Sequence, residues 1–228
     1  MEDLSYIIWV GAMLMMLIIP LISSIRLKVA FAHTKKIQNK KGLTGLEVAT
    51  KILEENGLTS VYIVETKGEL TDHFDPTRKV LRLSDESYNG TSVASIAVAA
   101  HEASHAVQDA NNYSWFKFRK SIYPVVSLGE KFSYIVLIVG LLLHSINFVY
   151  AAVILMLFGL TFEIVTLPVE LNASKRALQM IQDYNLVDNK DLKPARRMLK
   201  AAAFTYIAAI LTTMSQMLYY LSSFNRRR

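Results

Sequence analysis

The chain has 228 residues, of which 52% are hydrophobic and 19% are charged, and it contains no cysteine. This composition excludes a disordered tail, a collagen-like fibre and a disulfide-stapled secreted scaffold. A soluble domain of this size rarely carries so much apolar content, so the excess must be concentrated in particular segments. It lies in long uninterrupted runs. These runs predict an integral membrane protein, and the lipid bilayer is therefore an expected partner.

Three apolar runs without interior Lys or Arg cover residues 4–25, 132–169 and 201–221. Each is long enough to cross a hydrocarbon core about 30 Å thick. The middle run has about twice the required length and is interrupted by Ser145-Ile146-Asn147, so we interpret it as two helices joined by a tight turn. The first run starts with Glu2 and Asp3 rather than with cations, which favours an anchor over a secretory signal. We therefore expect a mainly α, polytopic membrane protein with about four transmembrane helices.

Four spans put both termini on one side of the membrane and residues 26–131 and 173–200 on the other. The termini offer Arg226, Arg227 and Arg228, whereas most of the cations that flank the spans lie on the second side. The positive-inside rule then predicts a multi-pass protein of the cell membrane whose large loops, with any site they carry, lie on the cytoplasmic side. The net charge of +6 suits anionic lipid, and nucleic acid is not an expected partner because no basic patch with interleaved aromatic residues lies outside the membrane flanks.

The polar part of the chain shows local signals for two helices and a small β-hairpin. Thr44-Gly45-Leu46-Glu47 predicts a capping box at the start of an amphipathic helix that ends at Gly57. The β-prone segments 61–64 and 79–84 flank the turn Asp75-Pro76-Thr77, which predicts that they pair antiparallel. A second helix is expected from an N-cap at Ser92 to about Asp109.

These features predict five successive parts of the chain. A transmembrane anchor occupies 1–25 and a membrane-proximal catalytic part occupies 26–131. Two transmembrane helices follow at 132–169, and a second catalytic segment occupies 170–200. The fourth transmembrane helix and a basic tail complete the chain at 201–228.

The residues that carry chemistry are expected on the helix after Ser92, in the run His101-Glu102-Ala103-Ser104-His105. Residues four apart share one face of a helix, so both imidazoles can reach a single Zn²⁺. Glu102 is placed to hold a water bound to that metal, as in HExxH metallopeptidases. Two surface histidines on an ordinary helix are the alternative. The apolar character of the rest of the helix disfavours it, because burying uncoordinated imidazoles and a carboxylate is costly.

Catalytic zinc normally takes three protein ligands and leaves the fourth position to water. Because the chain has no cysteine, the third ligand must be His, Asp or Glu. Glu170, at the end of the third span, is the strongest candidate, and an ordinary interfacial charge is its alternative. Asp109, one turn beyond His105, and His73 compete for the same role. His73 is also the residue we name for stabilising an oxyanion.

In four segments the chain resembles the bacterial YugP-type membrane zinc metallopeptidases: 41–45, 70–76, 99–108 and 167–174. It is more distantly similar to HtpX and the CAAX prenyl proteases, in which two spans likewise separate the zinc helix from a Glu-x-x-x-Asp element. The resemblance implies a gluzincin-like core with Glu170 as the third zinc ligand. Ser174 stands where these families have the aspartate. A group such as Asn172 then takes over any contact of that aspartate with a ligating imidazole.

Motif and resemblance together imply a zinc metallopeptidase in which His101, His105 and Glu170 hold Zn²⁺. Glu102 takes the proton of the attacking water and passes it to the leaving amine. The expected substrates are membrane-associated or misfolded proteins, and membrane partner proteins are further expected contacts. The alternative is a non-catalytic membrane scaffold or regulator with a structural zinc site. The Glu between the two histidines disfavours it, because a structural site needs no base.

Overall fold

The structure is a computed structural model that describes residues 2–225, so the predicted basic tail at 226–228 lies outside the described residues. Seven helices and three strands follow one another along the described chain. In order they are α1 Glu2–Lys35, α2 Gly45–Glu55, β1 Tyr62–Thr66, β2 His73–Asp75, β3 Val80–Ser84, α3 Asp85–Asn89, α4 Val93–Ala110, α5 Ser114–Leu142, α6 Ile146–Asp183 and α7 Asn189–Asn225.

Four of these helices, α1, α5, α6 and α7, are long and apolar enough to cross a membrane. They confirm the prediction of a mainly helical, multi-pass membrane protein. The middle apolar run is indeed split, since α5 ends at Leu142 and α6 begins at Ile146. His144, between the two helices, adopts a left-handed backbone conformation with φ of 51°, which reverses the chain within three residues.

The chain divides into two compact units. The first comprises Met1–Ser24, Phe118–Leu167 and Phe204–Arg228. Many large apolar side chains of its helices are exposed, among them Leu17 and Leu142, as expected for helices that face lipid. Inside this unit the indole N–H of Trp9 donates to the Ser223 hydroxyl at 2.8 Å, and a small apolar cluster joins Leu137, Val149, Ala152 and Met156.

The second unit comprises Ile25–Lys117 and Pro168–Ala203 and holds the polar part of the chain. Its core surrounds the first half of α4, where every residue from Val93 to Ala100 is buried. Buried side chains from α2, β3, α6 and α7 complete that core, among them Ile52, Leu81, Ile181 and Met198. Because α4 is enclosed on all sides, its sequence is apolar around the whole helix rather than along one stripe.

The predicted helix starts are confirmed. The Thr44 hydroxyl accepts from the Glu47 backbone N–H while the Glu47 carboxylate accepts from the Thr44 N–H, which is the capping box of α2. The Ser92 hydroxyl accepts from the Ser95 N–H and caps α4. The chain leaves α2 through Gly57, whose φ of +69° lies in the left-handed region that favours glycine.

The predicted antiparallel pairing of 61–64 with 79–84 is wrong. The sheet has the order β1-β3-β2, with β1 parallel to β3 and β2 antiparallel to β3. The turn that starts at Asp75 belongs to the β2–β3 hairpin, where the Asp75 carboxylate accepts from the backbone N–H groups of Thr77 and Arg78. Since β2 occupies that side of β3, β1 pairs along the other edge of β3. The expected small β-hairpin is therefore present, but β2 is its first strand.

Candidate metal centre

The metal-binding groups meet where α4 contacts the C-terminal part of α6 within the second unit. His101 and His105 lie one turn apart on α4, and their Nε2 atoms are 3.2 Å and 3.4 Å from Glu170 Oε2 on α6. His105 and Glu170 are buried, and His101 is half-buried. Among the described residues, these three side chains bring their ligand atoms close enough together to hold a metal ion.

The two His–Glu distances fit zinc, and all three ligand atoms lie within 4.8 Å of one another. Zinc–nitrogen and zinc–oxygen bonds of about 2.0–2.1 Å in a tetrahedral site put neighbouring ligand atoms about 3.3 Å apart. Both His–Glu distances lie within about 0.1 Å of that value. Two imidazoles and one carboxylate are also the ligand set of several catalytic zinc sites, which keep the fourth position for water or substrate.

Gln108 holds the His105 ring in the orientation that a metal site needs. Its fully buried side chain amide donates to the Val169 carbonyl and to Asn172 Oδ1, both at 2.9 Å. Because the Val169 carbonyl can only accept, the amide nitrogen must face α6 and the amide oxygen must face His105. That oxygen lies 2.9 Å from His105 Nδ1, so Nδ1 carries the proton and Nε2 is left free to bind a cation.

The outer contacts of the two histidines differ. Asn172 Oδ1 accepts from Gln108 and from Arg176 Nε at 2.8 Å, so Asn172 reaches His105 through Gln108 rather than directly. On the other ring, the Ser174 hydroxyl lies 3.4 Å from His101 Nδ1. Ser174 therefore occupies the position beside an imidazole that the resemblance assigns to an aspartate, with a neutral hydroxyl in place of a charge.

Glu102 lies next to His101 on α4 and is half-buried. Burial of its carboxyl raises its pKa to about 7, and the negative charges of Glu170 and Asp72 act in the same direction. The charge of a protonated His101 and a hydrogen bond from the Phe74 backbone on β2 oppose the rise. A divalent cation at the three ligands would also favour the carboxylate, because it adds positive charge beside it.

Two sequence candidates lie outside the ligand cluster. Asp109 pairs with Lys79 of β3 at 3.6 Å. His73 is exposed, and its Nδ1–H donates to the Thr71 carbonyl at 2.9 Å. Glu163, which precedes Glu170 on α6 and belongs to the first unit, accepts from the Thr213 hydroxyl at 2.9 Å. None of the three is among the ligand atoms that converge in the described chain.

Sequence reasoning assigned no role to Gln108. A weak signal was present, because Gln108 follows His105 by three residues and therefore lies on the same face of α4. Glutamine has no preference for metals, however, and its partners Val169 and Asn172 are more than 60 positions away in the chain. The contact is set by tertiary packing.

Four helices long and apolar enough to cross a membrane, together with two histidines and a glutamate that could hold a metal ion, are the features expected of the class of membrane zinc metallopeptidases. Residues 8–225 match the family described as "Putative neutral zinc metallopeptidase", and the chain belongs to that family. It is 38% identical over 199 residues to the "Putative membrane protease YugP" of Bacillus subtilis strain 168, covering 87% of this chain and 88% of that protein. No solved structure matches. Membership confirms the expected resemblance and zinc as the cofactor.

Proposed function

We propose that this protein is a peptidase that hydrolyses peptide bonds of membrane-associated or misfolded proteins at the cytoplasmic surface of the cell membrane. The observation that carries the proposal is the convergence of His101, His105 and Glu170 beside Glu102, a carboxylate that is not itself among the converging ligands. Zinc, when bound, lowers the pKa of a coordinated water and polarises a carbonyl.

Each protein group has a separate task in this mechanism. His101, His105 and Glu170 hold the cation, and Gln108 fixes the His105 ring. Glu102 accepts the proton of the attacking water on its carboxylate and delivers it to the leaving nitrogen. A cation held by the three ligands would favour the carboxylate form of Glu102, which is the form that accepts a proton.

The position of the sheet supports a peptide as the substrate. β2 is an edge strand, and its Phe74 backbone reaches Glu102. An edge strand presents unpaired backbone groups, which a substrate in extended conformation can meet. We propose that the scissile bond is held between β2 and the two histidines of α4. His73, at the start of β2, is our candidate for stabilising the oxyanion.

A scaffold with a structural zinc is the weaker alternative. A structural site is normally closed by four protein ligands, whereas three converge in the described chain. A carboxylate that is half-buried next to the ligands without belonging to them also has no use in a purely structural site.

The test compares purified full-length wild type with Glu102→Gln and with Asp109→Asn. The second variant is a matched control, because Asp109 is a carboxylate of the same helix whose partner is Lys79. All three proteins should hold one zinc per chain by metal analysis. We expect the wild type and Asp109→Asn to cleave unfolded membrane-protein substrates and Glu102→Gln to lose at least about 100-fold in rate. Cleavage by Glu102→Gln at the wild-type rate would refute the assignment of the base.

Orientation and substrates need separate experiments. Because the chain has no cysteine, single cysteines at exposed Thr59 and His144 report opposite sides of the membrane to an impermeant maleimide. We expect labelling of His144→Cys and not of Thr59→Cys in intact cells. Substrates are those proteins whose fragments occur in membranes that express wild type and are missing with Glu102→Gln.

A further inference from the structure

A groove lies along the C-terminal part of α6 and the N-terminal part of α7, inside the second unit, and has a volume of about 430 Å³. Its accessible lining is mainly apolar, and no Asp or Glu is among the described residues that form it. The residues that line it include three leucines and three cations: Leu171, Leu178, Leu199, Lys175, Arg196 and Lys200. The groove is as large as typical small-molecule sites.

The three cations lack a counter-charge. Lys175, Arg196 and Lys200 are exposed, and within residues 2–225 none of them has an ion pair or hydrogen bond with a side chain of the protein. Like charges gathered around one groove produce a positive potential that attracts an anion. The ligand that complements this groove is therefore anionic at one end.

The leucines indicate that the ligand also has an apolar part. Leu171 is 48% exposed although it is a large hydrophobic residue, and Leu178 is half-buried. A free phosphate would leave these side chains in water. A molecule with an acyl chain would cover them and gain the corresponding hydrophobic free energy.

The groove lies next to two apolar runs of the sequence. Lys200 directly precedes the run at 201–221, and Lys175 and Arg196 lie within about two helical turns of the runs that end at 169 and begin at 201. Cations this close to membrane-spanning segments are expected to interact with anionic headgroups, and each cation raises the affinity about fivefold.

We propose that this groove binds one molecule of anionic phospholipid such as phosphatidylglycerol. Lys175, Arg196 and Lys200 hold the phosphate, and an acyl chain lies along Leu171 and Leu178. None of the three cations is among the converging metal ligands, and the groove meets the metal centre at Ser174, which lines the groove and lies 3.4 Å from His101 Nδ1.

The experiment titrates purified full-length protein in a neutral detergent with short-chain phosphatidylglycerol and follows the thermal unfolding temperature. The groove variant combines Lys175→Gln, Arg196→Gln and Lys200→Gln. The matched control combines Lys190→Gln, Lys193→Gln and Arg197→Gln, which removes the same charge from exposed positions of α7 that do not line the groove. Further arms replace the lipid with short-chain phosphatidylcholine, glycerol phosphate or a peptide rich in Asp and Glu.

We expect the apparent Kd for phosphatidylglycerol to rise on the order of 100-fold in the groove variant and to change less than about threefold in the control. Phosphatidylcholine and glycerol phosphate should bind at least about tenfold more weakly than phosphatidylglycerol. Should the groove variant not fold, Arg196→Gln alone is expected to weaken binding about fivefold. Equal losses in groove variant and control, equal binding of glycerol phosphate, or tighter binding of the acidic peptide would each overturn the proposal.

Discussion

Replacing Gln108 by leucine tests how the outer contacts of the metal centre set zinc affinity. Leucine has a similar size but removes three hydrogen bonds, each of 2.9 Å, from a fully buried position. The Val169 carbonyl is part of helix α6, and Asn172 keeps its bond from Arg176. His105 Nδ1–H is left as a buried donor without a partner.

The structure supplies the expected magnitude. One orphaned buried donor costs about 1–3 kcal/mol, and two lost bonds whose acceptors keep other partners cost about 1 kcal/mol each. We therefore expect Gln108→Leu to lower the free energy of unfolding by about 3–5 kcal/mol. Zinc affinity should fall by about 10- to 100-fold, because the His105 ring is no longer held with Nε2 toward Glu170.

Gln108→Glu separates the two effects. A carboxylate still accepts from His105 Nδ1–H, so zinc affinity should stay within about threefold of the wild type. It no longer donates to Val169 and Asn172, so the unfolding temperature should fall. Zinc affinity is measured by competition with a chromophoric chelator and stability by thermal unfolding, and Gln179→Leu, an exposed change of the same kind, is the control. Wild-type zinc affinity in Gln108→Leu would show that the reasoning about the His105 ring is wrong.

Three further predictions concern the ligand, one close backbone approach and one helix cap. Glu170→Gln should lower zinc affinity by more than about 100-fold, beyond the range for outer contacts, and retention of one zinc per chain in metal analysis would contradict its role as a ligand. Gly45→Ala should lower the free energy of unfolding by about 3 kcal/mol or more, because the added Cβ would lie 1.8 Å from a carbonyl oxygen of α3. Gly11→Ala is the control, since a Cβ at that position meets nothing within 4 Å. Equal unfolding temperatures of the two variants would refute the clash. A hydrogen bond from the Thr44 backbone lowers the pKa of Glu47 in the folded protein. The stability that this carboxylate contributes is therefore present above the pKa it has in the unfolded chain, and is lost as the pH falls through its pKa in the folded protein. Thermal unfolding of Glu47→Gln should therefore depend less on pH in the acidic range than that of the wild type, and identical pH profiles would count against the cap.

Much of the fold could be predicted because its signals are local. The apolar runs define α1, α5, α6 and α7 by length alone. The capping box at Thr44 and the N-cap at Ser92 lie within four residues of the groups they satisfy. The two histidines of α4 likewise need nothing beyond the helical repeat to share a face.

The remaining features depend on contacts between distant segments. β2 has three residues, too few for a recognisable alternation, so its place before the turn and beside β3 was not visible in the sequence. Glu170 lies 65 positions after His105, and the sequence placed it on the same side of the membrane without fixing the distance. Gln108 and the groove along α6 and α7 were missed because their chemistry arises from packing rather than from residue type.

The division of the proposed zinc ligands between α4 and α6 has a consequence for biosynthesis. A nascent chain that ends after α5 contains His101 and His105 but lacks Glu170. Such a partial ligand set binds a metal weakly, because the complete site forms only when the chain folds. Zinc loading thus waits until the third membrane crossing has been synthesised and integrated. If the chain acts as the peptidase proposed above, a nascent chain that ends before Glu170 cannot yet cleave the insertion machinery.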